Sequence, residues 1–444
     1  MQPLIIVVAI MSIAVVIVTV SMSIIFTVVA KGIEIPEPPT VKPGIDGDLH
    51  LLYDKRIGLV TNPSGVNHEL ESTIDILFHR KLHPRIKLNA LFAPEHGIRG
   101  NYGPGVKFED YTDPITKLNV YSLYNNNHTY GPSHEQLKDL DMLVLDLQDV
   151  GTRCFTYLST MVECLKSAKN ASIPFVILDR SNPIGARDND VQGPVLEHQH
   201  ISFIGIWSIP MQHAMTMGEL ARMFNHEMEI NHPELYVVHI KQADPTQRSP
   251  DNVSISRKPL VYGNARWLPP SPNLPTHLTS MIYPGVVLFE ATNLSLGRGT
   301  STPFQLIGAP FIDGIRFAEK VSEKCSDQRV AHYFEHVHLI PTYFTPDSGP
   351  HRGKQCYGVR LVMTHPPIYE STRSIPMAVV LLQSLLELYG EDQLNISADY
   401  MNKLVGTDQL LKDLRARKPV PDIVESWSNC LEEFKKRRSK YLLY

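Results

Sequence analysis

Between residues 56 and 240 one alternation recurs, and it leaves few folds open. Short apolar runs ("RIGLVTNPSG", "IKLNALFAP", "DMLVLDLQDVG", "IPFVILDRSNPIG", "LYVVHI") are separated by stretches with helical patterning ("STIDILFHRK", Tyr157 to Lys169, "MTMGELARMFNHEM"). Ser72 and Thr216 stand where helix N-caps belong. The runs are continuously apolar instead of alternating, which is the pattern of strands buried on both faces. Strands of that kind interleaved with helices predict an α/β fold with a doubly wound, mainly parallel sheet. Such sheets bind ligands beyond the carboxyl ends of their strands. Here those ends are polar: Asn62; Glu95 and His96; Asp146, Gln148 and Asp149; Asp179, Arg180 and Asn182.

At 444 residues the chain exceeds one ordinary core. The texture changes at "WLPPSPNLPT", a proline-rich connection beginning at Trp267. Beyond it, "VVLFEATNLSLGRGTSTPFQLIGAPF" reads as a strand followed by a Gly-Arg-Gly turn. "GVRLVMTH" reads as a strand, and "SIPMAVVLLQSLLELYG" and Thr407 to Arg417 as helices. These features place an α/β catalytic domain over residues 51–275 and a smaller α+β auxiliary domain over 276–444. The segment Glu290–Thr302 is expected to reach back to the first domain.

The N-terminus is a separate matter. Gln2 to Ala30 carries no charged side chain and exceeds the ~20 residues that span a hydrocarbon core. Residues 1–30 therefore read as a transmembrane anchor, or as a cleaved signal ending near Val28-Val29-Ala30. Residues 31–50 follow as a proline-rich stalk. Asn-x-Ser/Thr sequons at Asn127, Asn170, Asn252, Asn293 and Asn395 favour an extracellular or lumenal body. The five cysteines form no CxxC pair; Cys154 and Cys164 are expected on one helix, and Cys325 with Cys356 is a candidate disulfide.

Several chemistries lose their signatures. The net charge of −4 and the absence of an Arg/Lys patch interleaved with aromatics argue against a nucleic-acid partner. The basic run Lys435–Arg438 reads as a solvated helix face. There is no G-x-G-x-x-G after the first strand and no P-loop, so no nucleotide cofactor is expected. H-E-x-x-H, zinc spacings and G-x-S-x-G are absent as well, so no metal is expected.

What remains is a polar rim rich in carboxylates. Glu95 follows an apolar strand and precedes His96, Gly97, Arg99 and Gly100, residues that let backbone close on a ligand and offer a planar cationic donor. Asp149 ends another strand, with Arg153 able to pair with it or with Asp146. Glu290, Asn293, Arg298 and Thr300 share one loop, whose Gly-Arg-Gly turn presents an arginine suited to a carboxylate. His213 and His277 read as packing residues. Two acidic groups among Asn62, Gln148, Tyr157, Asp179 and Asn182 have the parts for glycosidic hydrolysis: one carboxyl protonates the leaving oxygen, and a second activates water or attacks the anomeric carbon. From the residues alone the reading stops at a hydrolase of polar substrates working without a cofactor.

Ten segments go further. "TNPSGV", "LFAPEHGIRG", "VYSLY", "DLQDVGTRCFTYLSTM", "ILDRSNPIG", "VQGPVLE", "IPMQHAMTMGELARMFN", "PSPNLPT", "YPGVVLFEATNLSLGRGT" and "PFQLIGAPF" resemble, in order, the NamZ family of exo-β-N-acetylmuramidases. The resemblance implies a Rossmann-like N-terminal domain without nucleotide, an auxiliary C-terminal domain and a cleft between them. It implies release of non-reducing-end N-acetylmuramic acid, β-1,4-linked to N-acetylglucosamine, from peptidoglycan fragments. It makes Glu95 the catalytic acid, with His96 and Arg99 as its neighbours, and Arg298 the partner of the muramoyl lactyl carboxylate. The second carboxylate stays open between Glu290, Asp149 and the substrate's own acetamido group. This chain departs from the family pattern at Ser64, Ser181 and Ala291, the last next to Glu290. A glycan-binding protein without turnover, or a hydrolase of another N-acetylhexosaminide, are the alternatives.

Overall fold

The five apolar runs all become strands of one seven-stranded sheet. In the computed structural model, residues 41–81, 83–126, 130–242, 257–258, 267–364 and 372–444 are described. Its strands are β1 (Val41–Lys42), β2 (Arg56–Thr61), β3 (Lys87–Ala93), β4 (Tyr111–Thr112), β5 (Asn119–Ser122), β6 (Met142–Asp146) and β7 (Phe175–Leu178). They continue as β8 (Gln192–Val195), β9 (Pro210–Gln212), β10 (Leu235–Val238), β11 (Lys241–Gln242), β12 (Leu306–Ala309), β13 (Val337–Phe344) and β14 (Cys356–Met363). The large sheet runs β10-β7-β6-β2-β3-β5-β4, parallel throughout except for the edge strand β4.

Burial explains the continuous apolar runs. Leu143, Leu145, Phe175 and Ile177 pack into one core with the Tyr157–Asn170 helix, while Val144, Val176 and Leu178 enter a second core with the Thr73–Phe78 helix. Successive side chains thus fill opposite layers, and neither face of the strand meets water. Each fully buried Leu, Ile or Phe contributes about 1.5–3 kcal/mol. Chain order reverses between β2 and β6, the switch point where doubly wound sheets bind ligands.

The Met217–Glu227 helix shows how the strand ends serve the fold. Thr216 and Glu219 form a reciprocal capping box. Asp179, just beyond β7, accepts hydrogen bonds from Thr216 Oγ1 (2.7 Å), the Gly218 amide (2.8 Å) and the Tyr444 hydroxyl (2.9 Å). Burial pushes the Asp179 carboxyl up to about 6, against the pull of those hydrogen bonds. A raised carboxylate pKa means that the native state holds a proton which the unfolded chain has lost. Its stability contribution is therefore complete below about pH 4 and is lost as pH rises through about 6. At about 1.4 kcal/mol per unit, the effect is on the order of 2–3 kcal/mol. We expect the stability of Asp179→Asn relative to the parent to rise by that amount between pH 4.5 and 7.5 in urea titrations; a constant difference would place the Asp179 carboxyl in the ordinary range.

The second half is built on a three-stranded antiparallel sheet, β12-β14-β13, packed against the Gly314–Lys324 helix, with the long Ser374–Leu394 helix behind. Three sequence expectations are corrected here. "VVLFE" is no strand: it completes the His277–Val286 helix and continues as the 3-10 turn Val287–Ala291. A short, wholly buried apolar run fits either element, and the Thr276 cap upstream, accepting from the Thr279 amide at 3.2 Å, decides for helix. The basic C-terminal run is a solvated face only in part: Lys436 is exposed and Lys435 pairs with exposed Glu432, but the two arginines turn to the protein. Arg438 is 1% exposed, donates to the Ala214 carbonyl and pairs with Asp188 at 2.6 Å, while Arg437 bonds the Ser208 carbonyl. Finally, Cys154 lies before the helix that holds Cys164, and all five cysteines are free thiols, so Cys325 and Cys356 form no bridge.

Residues 1–40, with the apolar segment and most of the stalk, and the sequons at Asn127 and Asn252 lie outside the described residues. Among the described residues no helix is long and apolar enough to cross a membrane.

Candidate active site

The chain leaves β3 through Pro94 into a backbone that only a few residues tolerate. His96 has φ 77° and Gly97 φ 75°, both left-handed. A Cβ on Gly97 would sit 2.7 Å from the Tyr102 ring, so glycine is required twice over. A non-glycine residue at positive φ is a strained arrangement that surrounding contacts must enforce. Here the Tyr102 amide donates to the His96 carbonyl (3.3 Å), and His96 Nδ1 lies 3.2 Å from the Tyr102 carbonyl. Since a carbonyl only accepts, the proton sits on Nδ1 and Nε2 is left as an acceptor. Burial holds the His96 pKa below its ordinary value despite the Glu95 charge beside it.

The loop then returns so that the Gly105 amide donates to Glu95 Oε1 (2.8 Å), while the Thr156 hydroxyl donates to Oε2 (2.9 Å). The two oxygens are thereby made unequal. A backbone amide can only donate, so Oε1 is always an acceptor. A hydroxyl can turn and accept, so Oε2 is the oxygen able to carry a proton and pass it on. Behind Glu95, the buried Tyr157 hydroxyl donates to the Pro270 carbonyl (2.7 Å) and lies 3.3 Å from the Glu95 carbonyl.

Glu95 and His96 line a cleft of about 630 Å³ together with Glu290 and Arg298 from the second half of the chain. Glu290 sits on the Val287–Ala291 turn and forms an ion pair with Arg298 Nη2; the Tyr400 hydroxyl is 3.5 Å from its other oxygen. The Arg298 guanidinium lies 4.9 Å over the Phe304 ring. Burial opposes its charge, but the Glu290 carboxylate more than offsets this and raises the pKa. The remaining walls come from Gly103–Val106, Tyr124, Phe155, Ser271, Asn273, Tyr283 and Ser348–Gly349. Lys107 stands over the Tyr124 ring, its ammonium 3.3 Å from the centroid. Among the described residues no group of three His, Cys, Asp or Glu is placed to hold a metal ion.

The other candidates are not on the cleft wall. Asn62 Nδ2 donates to Tyr157 Oη (2.7 Å) and the Pro270 carbonyl, and its oxygen accepts from the Ser64 amide and hydroxyl. Gln148 donates to the Asp149 and Ser181 carbonyls. Asn182 bonds the Ile184 amide and the Met215 carbonyl. Asp149 is 4% exposed, accepts from the Gly151 amide (2.7 Å) and lies 3.2 Å from His213 Nε2, though off-axis for a hydrogen bond. Arg153 pairs with neither aspartate; Asp146 is taken by Arg180. Arg99 pairs with Asp113 (3.2 Å), Asp179 caps a helix, and Asn293 Nδ2 donates to the Gln393 carbonyl. Tyr157 supports Glu95 from behind. The switch-point crevice is filled by the protein's own polar side chains and the Pro270 carbonyl, and the open cleft lies at the end of β3.

Known proteins resemble this chain in sequence and in fold. A family model described as exo-β-N-acetylmuramidase NamZ, N-terminal, matches residues 57–278, and its C-terminal counterpart matches residues 281–444. The peptidoglycan β-N-acetylmuramidase NamZ of Bacillus subtilis (strain 168) is 39% identical over 410 residues, spanning 91% of this chain and 92% of that protein. The chain belongs to the NamZ family. Two crystal structures of DUF1343 family proteins from Bacteroides fragilis NCTC 9343 superpose with TM-scores of 0.76 and 0.67. Each is 29% identical and covers 91% of this chain and 99% of its own. Both NamZ segments build the cleft: Glu95, His96 and Thr156 come from the first, and Glu290, Arg298 and Tyr400 from the second.

Sequence reasoning did not single out Thr156, Tyr124, Tyr283, Ser271, Asn273 or Tyr400. Tyr124, Thr156, Ser271, Asn273 and Tyr283 stand inside NamZ segments quoted above, so the signal was present at the level of the motif. Tyr400 belongs to none of them, and only the docking of the Ala398–Val405 helix brings it to Glu290.

Proposed function

We propose that this NamZ protein is an exo-acting glycoside hydrolase that releases N-acetylmuramic acid from the non-reducing end of peptidoglycan fragments. The observation that carries it is one cleft holding Glu95, with its two oxygens differentiated, and the Glu290–Arg298 pair. Glu95 Oε2 protonates the bridging oxygen as the bond to N-acetylglucosamine breaks. Glu290, paired with Arg298, is the acceptor for positive charge at the anomeric carbon or for a proton from water. Only one Arg298 nitrogen is committed to Glu290, leaving donors for the lactyl carboxylate of the muramoyl group. We place the catalytic domain at residues 51–275 and the auxiliary domain at 276–444, with residues 1–30 as a membrane anchor, or as a signal removed on secretion, and the body outside the cell or in a lumen.

The test compares chromogenic β-N-acetylmuramide with β-N-acetylglucosaminide. Release from the first and little from the second supports the reading; equal release, or tight binding with no product, overturns it. In Arg298→Gln we expect the preference for the muramide to fall by about 10–100-fold, the worth of one charge-assisted contact. If kcat/KM drops equally for both sugars, Arg298 serves Glu290 alone.

A further inference from the structure

Arg153 is a cation buried to 2% exposure with no carboxylate paired to it among the described residues. Nη1 donates to the carbonyls of Pro194 (2.9 Å) and Ile209 (2.8 Å), and Nη2 to that of Leu404 (2.8 Å). Its own amide donates to the Met211 carbonyl at 2.8 Å. Burial lowers its pKa to about 10. Burying an unpaired guanidinium is costly, and an apolar side chain would fill the volume more cheaply. What the guanidinium alone supplies is a rigid planar set of donors that holds three carbonyls from three segments in one geometry.

One of those carbonyls, and the main chain that follows Arg153, lead to the cleft. Directly after Arg153, the residues Cys154, Phe155 and Thr156 line the cleft, and Thr156 holds Glu95 Oε2. On the other side Leu404 belongs to the Ala398–Val405 helix, which also carries Tyr400, the neighbour of Glu290. That helix ends at Gly406, φ 88°, where a Cβ would come within 2.6 Å of Arg153 Nη2. The helix end is thus shaped around the guanidinium.

We infer that Arg153 is a positioning residue that sets the placement of Glu95 relative to Glu290, acting through Thr156 on one side and the Tyr400-bearing helix on the other. This rests on those two carboxylates being the reacting groups. Misplacing catalytic groups by about 1 Å costs up to about 100-fold. The experiment measures kcat and KM on an N-acetylmuramyl-β-1,4-N-acetylglucosamine disaccharide, whose leaving group needs the Glu95 proton, for Arg153→Lys, Arg153→Met, Tyr400→Phe and the Arg153→Lys/Tyr400→Phe double variant. Each is assayed well below its own melting temperature and checked by circular dichroism. Arg153→Lys should fold, lose about tenfold or more in kcat and hold KM within about twofold. Arg153→Met should lose more, and the double variant should fall short of the product of the singles, because both act on one helix. Lowered melting temperature with parental kcat would show that Arg153 is structural only, and strictly multiplicative losses would overturn its action through the Tyr400-bearing helix. Should neither Arg153 variant fold, Gly406→Ala decides: a kcat loss at constant KM supports the inference, and parental kcat overturns it. Glu95→Gln and Glu290→Gln run alongside. If they too keep parental turnover, the assignment of the cleft has failed; if they abolish it while Arg153→Lys is unaffected, only the positioning role falls.

Discussion

Glu95→Gln should retain the fold and lose about 10³-fold in kcat on substrates with a sugar leaving group, within the range set by loss of a general acid. Glutamine keeps the shape of the site. Its carbonyl still accepts from the Gly105 amide, and its NH₂ can donate to Thr156 Oγ1, which now accepts. What disappears is the transferable proton. The loss should therefore shrink sharply on an aryl muramide whose phenolate leaves without protonation. A nucleophile at position 95 would instead fail equally on both substrates. Thr156→Val gives a second measure. It leaves Oε2 without its partner while sparing the carboxyl itself, and we expect a loss of about tenfold, in line with one hydrogen bond. Unchanged turnover in Glu95→Gln would remove the acid assignment altogether.

The parts of this molecule that rest on local pattern could be read from the chain. Continuous apolar runs announced strands buried on both faces, and Thr216 announced the start of a helix. Glu95 stood out because Gly97 and Gly100 after it let the backbone close on a ligand; the left-handed φ of His96 beside Gly97 was not legible. Asn62, Gln148, Asp149 and Asn182 carried the same strand-end signature, yet their hydrogen bonds go to Tyr157, Ser181, Gly151 and Met215. Polarity at a strand end reports that something must be satisfied there; it does not distinguish a ligand from the protein's own backbone. The wall from the second half was harder still, since Tyr400 reaches Glu290 across 110 residues of sequence. Arg437 and Arg438 misled for the converse reason: a basic run was expected in water, but the buried Arg438 guanidinium bonds the Ala214 carbonyl and the carboxylate of exposed Asp188.

Asp146→Ala should be among the most destabilising single changes in the chain, by about 3–5 kcal/mol, with no direct effect on the cleft. Asp146 ends β6 at 0% exposure. Its carboxylate receives Arg180 Nε (2.5 Å) and Nη2 (2.9 Å) as well as the Thr73 hydroxyl (2.5 Å). Arg180 also donates to the Val66 carbonyl at 2.6 Å. The pair therefore ties the ends of β6 and β7 to the turn after β2 and to the start of the Thr73–Phe78 helix. Removing the carboxylate strands a guanidinium with only 7% exposure, and the penalty is that of an uncompensated buried charge more than of a lost attraction. The double variant Asp146→Leu/Arg180→Met separates the two, because it removes both charges and keeps apolar volume. We expect it to recover most of the loss, and urea midpoints for the parent, the single and the double variants would measure this. The folded fraction of Asp146→Ala, assayed at low temperature, should keep kcat near that of the parent, because neither Asp146 nor Arg180 lines the cleft. A marked fall in kcat at full folding would mean that the switch-point network reaches the reacting groups, and that the polar crevice beside β2 takes part in the chemistry.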